Sequence, residues 1–91
     1  MATRLVARAD ASAGRLESGA ICAARRDADT LQQQAIAAIN AGRVPTGLQE
    51  ELLGRVNALV DAISCTRAQA DEGAPEEARA LADWLRERSA G

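Results

Sequence analysis

Cys22 and Cys65 have the most reactive side chains in this sequence, and the absence of histidine limits what they can do. A thiolate nucleophile needs a general base and an orienting group, and the usual base is missing. A metal centre needs three or four ligands, and two cysteines fall short. Glu50-Glu51, Asp71-Glu72 and Glu76-Glu77 have the residue type for general acid–base work. Neighbours on a helix point about 100° apart, however, so such pairs do not converge. Two of the three pairs fall where helices are expected to begin, and acids are stabilised there by the helix dipole. Arg25-Arg26 is the one basic doublet; Asp27 and Asp29 follow at once, and no aromatic lies near to stack a base. No glycine-rich phosphate loop is present. The sequence therefore reads as non-enzymatic, with no catalytic, cofactor-binding or metal-binding set and no nucleic-acid partner.

The elements that must place the cysteines are helical. Of 91 residues, 22 are alanine and 17 are Leu, Ile or Val; Trp84 is the sole aromatic. Alanine has the highest helix propensity, and the residues that favour strands are scarce. The fold class is all-α, in a single domain over residues 1–91. All eleven cations are arginine, a bias that GC-rich coding produces, and thirteen acids leave a net charge of -2. Such a balance lacks the cationic footprint of a nucleic-acid or anionic-membrane binder. No apolar run reaches the length of a membrane span.

Asn40-Ala41-Gly42-Arg43-Val44-Pro45-Thr46-Gly47 is the clearest punctuation. Gly42 can take the left-handed conformation that ends a helix, and Pro45 forbids its continuation. Thr46 and Gln49 have capping-box spacing, with the hydroxyl facing the third amide and the glutamine reaching back. Before the turn, Ala24, Ala28, Leu31, Ala35 and Ala38 recur at helical period; after it, Leu52, Val56, Leu59 and Ile63 do the same. The pattern predicts an antiparallel hairpin of helices over about 21–41 and 47–66, or slightly longer. An alanine-lined rod then lies against a leucine-lined one. A short C-terminal helix is expected over about 75–88, opened by Pro75, and a weaker N-terminal one over about 3–17, with a break before Ile21. The C-terminal helix is too short to stand alone. Leu81, Trp84 and Leu85 are its candidate docking or interaction surface. The i,i+4 pairs Glu51–Arg55 and Arg25–Asp29 add tenths of a kcal/mol each.

On this hairpin the cysteines fall at nearly the same level. Cys22 lies about 22 residues before the turn and Cys65 about 20 after it, a difference of roughly 3 Å along the axis. A bond between them would close a loop of some forty residues, worth about 3–4 kcal/mol. Helical phase argues the other way: carried through unbroken, the two helices point both thiols away from the seam. A staple needs each cysteine at a frayed or capped helix end. Two readings stand, a Cys22–Cys65 disulfide and a pair of unrelated reduced thiols.

The run Gly19-Ala20-Ile21-Cys22-Ala23-Ala24, the turn Ala41-Gly42-Arg43-Val44-Pro45, then Leu52-Leu53, Val56-Asn57-Ala58-Leu59 and Cys65 resemble small extracytoplasmic helical domains. These occur in actinobacterial secreted proteins and lipoproteins, where two cysteines bracket a helix-turn-helix. The resemblance spans residues 19–65 and implies export and a Cys22–Cys65 bridge, with no activity to carry over. Trp-X-Gly secretion proteins, the other helical hairpins of this size, carry their tryptophan in the turn, where this sequence has none. The stretch Met1 to Asp10 has no apolar leader core, so it reads as cytoplasmic unless a signal peptide preceded it. The function expected is a non-catalytic interaction or structural module, extracytoplasmic and stapled. The alternative is a cytoplasmic adaptor or antitoxin-like partner protein with free thiols. Either binds a protein partner or a second copy of itself.

Overall fold

The computed structural model describes residues 3–90; Met1 and Ala2, where the leader reading starts, lie outside it. The described residues form four helices: α1 (Thr3–Glu17), α2 (Ile21–Asn40), α3 (Thr46–Asp61) and α4 (Ala74–Ala90). Between α3 and α4 sits a two-residue antiparallel ladder, β1 (Ile63–Ser64) with β2 (Gln69–Ala70), in register Ile63↔Ala70. The fold is all-α apart from this ladder.

Glycine sets the first two helix ends. Gly19 (φ +82) and Gly42 (φ +73) take the left-handed conformation that a Cβ disfavours. Each allows a paired cap: Ala20 N donates to Arg15 O and Gly19 N to Leu16 O, while Arg43 N donates to Ala38 O and Gly42 N to Ile39 O. This double return satisfies carbonyls that a helix end would otherwise leave bare. The chain doubles back as the glycine–proline stop predicts. The start of α3 differs from expectation: Thr46 makes no side-chain cap bond. Gln49 does reach back, its Nε2 donating to Val44 O at 3.1 Å. Because Pro45 occupies the cap position itself, Thr46 is already helical and its hydroxyl is not placed to cap.

The end of α3 is a second correction. The sequence predicts helix to about residue 66, yet α3 stops at Asp61. Ile63 is fully buried, and its carbonyl accepts a 2.7 Å hydrogen bond from Arg25 Nη1 on α2. That side-chain donor, with the ladder and the bond from Asp71 N to Ala62 O, offers the backbone partners that another helical turn would have supplied. The loop of the ladder holds Ala68 at φ +51, the one described non-glycine residue with positive φ. Ala68→Gly relieves that strain and should raise the unfolding free energy by about 0.5–1 kcal/mol, read from the urea midpoint. An unchanged or lowered midpoint would show that no strain is held there.

The hairpin is not the centre of the molecule. α1 makes the most extensive packing, against α4 and α2, while α3 packs on α2 and, over a smaller area, on α4. Arg86–Asp10 and Arg79–Glu17 ion pairs set α4 antiparallel to α1. Between α1 and α2 the contact is lined by Ala9, Ser12, Ala13, Ala24 and Ala28, all fully buried. Small side chains let the backbones approach closely, and Ser12 Oγ donates to Ala24 O at 3.2 Å. Leu31, Leu52, Val56, Leu59, Leu81 and Leu85 fill the remaining core. The alanine-rich face of α2 thus serves α1 as much as α3.

Candidate functional site

Cys22 is the second residue of α2, and Cys65 lies just past β1. Their sulfurs stand at disulfide bonding distance, with Cα atoms 4.5 Å apart and a sequence separation of 43. The phase objection is met at Cys65 alone: Cys22 keeps its place in the first turn of α2, whereas Cys65 lies outside α3 on chain that no longer follows the helix. Gly19 closes α1 so that α2 starts one residue ahead of Cys22, and the early end of α3 lets the chain swing Cys65 round to meet it. The pair is a surface feature, Cys65 exposed and Cys22 half-buried.

Leu81, Trp84 and Leu85 dock within the chain. Leu81 and Leu85 are buried, and Trp84 retains 6% of its exposure. Arg55 from α3 and Arg88 from α4 lie over the Trp84 ring, 5.3 and 5.2 Å from its centre. Each such contact adds roughly 0.5–1 kcal/mol where solvent reaches it. Trp84 Nε1 is buried with no hydrogen-bond partner.

Sequence reasoning missed Asp27, which it noted only as an acid following the Arg25-Arg26 doublet. Asp27 is 5% exposed and accepts from two arginines of α1, Arg8 Nη1 at 2.9 Å and Arg15 Nε at 2.6 Å. Arg8 and Arg15 are seven apart, two turns on one face, so a single carboxylate facing the α1 groove can hold both. The i,i+7 arginine spacing was the available signal. The arginines keep 39% and 51% of their side-chain exposure and can return to water. Asp27→Ala should therefore cost about 1–2 kcal/mol, less than a fully buried pair. A loss under a few tenths in thermal or urea unfolding would show the network to be ornamental.

The two helical pairs foreseen in the sequence are present: Arg25 Nε to Asp29 Oδ1 at 3.0 Å and Arg55 Nη2 to Glu51 Oε2 at 3.4 Å. The acid doublets are exposed, and Glu76-Glu77 lies in the first turn of α4. Among the described residues no three His, Cys, Asp or Glu side chains converge as metal ligands. No helix among the described residues is long and apolar enough to cross a membrane.

Two shallow clefts flank the α1–α2 seam, both lined by Arg4 and Gln34. The features define an all-α, four-helix domain with a surface cysteine pair. No protein-family model, curated protein or solved structure matches the chain.

Proposed function

We propose that the chain is a non-catalytic helical interaction module, stapled by Cys22–Cys65 and working outside the reducing cytosol. The observation that carries this reading is the apposition of the two cysteines by elements that both end at the required point. Disulfides persist in oxidising compartments and are rare in the cytosol. A small domain with one aromatic also gains more from a staple than a large one does. The resemblance of residues 19–65 to two-cysteine helical domains of actinobacterial secreted proteins points the same way.

Binding in this reading falls to a partner rather than to a second copy. The folded surface of 5233 Å² is close to the roughly 5,000 Å² of a compact monomer of this size. Ile36, at 45% exposure, is the single large apolar side chain left open among the described residues.

Thiol titration in denaturant without reductant tests the proposal, on protein recovered from its own host. No reactive thiol and a signal sequence upstream of residue 1 in the coding region support it. Two titratable thiols on a chain that starts translation at Met1 overturn it in favour of a cytoplasmic adaptor.

A further inference from the structure

The Arg4–Gln34 clefts combine charge, an unfilled hydrogen-bonding group and an apolar wall. The first, about 320 Å³, is lined by Arg4, Ala7, Arg8 and Gln34. The second, about 290 Å³, adds Arg43, with Leu5, Ala37 and Ala38 on its apolar side. No acid lines either one. Arg8 gives one nitrogen to Asp27, while Arg4 and Arg43 have no carboxylate partner among the described residues. Seven of the other nine arginines do have one; of the four that do not, Arg4 and Arg43 are the two that line one cleft together. Gln34 Oε1 is buried with no hydrogen-bond partner, an acceptor waiting for a donor.

The geometry points to the Arg4–Gln34–Arg43 cleft as a docking site for an acidic peptide segment of a partner protein. The inference deepens the interaction-module reading and rests on it. Guanidinium forks match carboxylates in shape and charge. Gln34 is half-buried, so its amide can turn the unpaired carbonyl outward to accept from a peptide N–H, and the alanine wall admits a small side chain between acids. Nucleic acid fits poorly, since no aromatic lines the clefts to stack a base.

Nuclear magnetic resonance titration of the oxidised full chain with a tri-glutamate peptide tests this directly. Shifts confined to the Gln34 side-chain amide and the backbone around Arg4, Ala37, Ala38 and Arg43 are expected. Exposed guanidinium–carboxylate pairs each change binding by up to about fivefold. The Arg4→Gln, Arg43→Gln double variant should accordingly weaken binding by about five- to twentyfold. Arg26→Gln with Arg67→Gln removes the same charge outside the clefts and should leave binding within about twofold. Equal weakening by both double variants would reduce the effect to net charge and overturn the proposal. So would inorganic phosphate or a short single-stranded oligonucleotide producing the same shifts at equal or lower concentration. The outcome is independent of the thiol count: a silent cleft in a stapled chain sinks the docking site alone, and free thiols with a working cleft sink the export reading alone.

Discussion

Replacing Cys22 and Cys65 together by serine lowers the unfolding free energy by about 3–4 kcal/mol. The bond spans 43 residues, and its removal restores the loop entropy of that length to the unfolded chain. Ninety-one residues support a total stability of roughly 5–14 kcal/mol, so the loss takes about a fifth of it or more. Urea unfolding by far-ultraviolet circular dichroism, oxidised wild type against the double variant, gives the number. The helices themselves should survive, since Ile63 and Arg25 continue to hold the end of α3 to α2 without the sulfurs. Coincident midpoints for oxidised and reduced wild type would show that the cysteines are neighbours and nothing more.

Trp84→Ala costs about as much or more, roughly 3–5 kcal/mol. The ring closes the junction of α3 and α4, which share a much smaller interface than α1 and α4 do, and two guanidiniums lie over its faces. Truncation leaves a void where the alanine-rich neighbours have little side chain to collapse inward. Trp84→Phe separates packing from polarity: it keeps an aromatic surface and deletes the buried, unpartnered Nε1–H. That exchange should cost under about 1 kcal/mol, because the lost N–H takes its desolvation penalty with it. A Phe variant as unstable as the Ala variant would mean that the indole N–H has found a partner.

The local features of this fold are those the sequence announces. Gly42 and Pro45 end one helix and begin the next; Arg25–Asp29 and Glu51–Arg55 need only a helix to bring them together. Features that depend on a distant element are silent. Nothing near Ile63 says that α3 ends at Asp61, because the cause is a side chain from α2 and a ladder of two residues on either side. Without a glycine in its loop, that ladder leaves no turn signature, and Ala68 carries the strain instead. Asp27 likewise looks like surface charge until α1 lies across it. Alanine stripes show which faces are buried but not by which neighbour, so α1 reads as peripheral although it packs most. For the cysteines, level along the hairpin is legible and direction is not, since direction follows from where α3 stops.

The Cys22–Cys65 bond encloses α2 and α3, while α1 and α4 lie outside it, antiparallel and paired along their length. Tension applied across the two outer helices would unzip them from one end, pair by pair, and then meet a covalent stop. The enclosed span, about 150 Å when drawn straight, would stay out of reach. Under load the molecule is a tether whose maximum length depends on whether that single bond has been reduced.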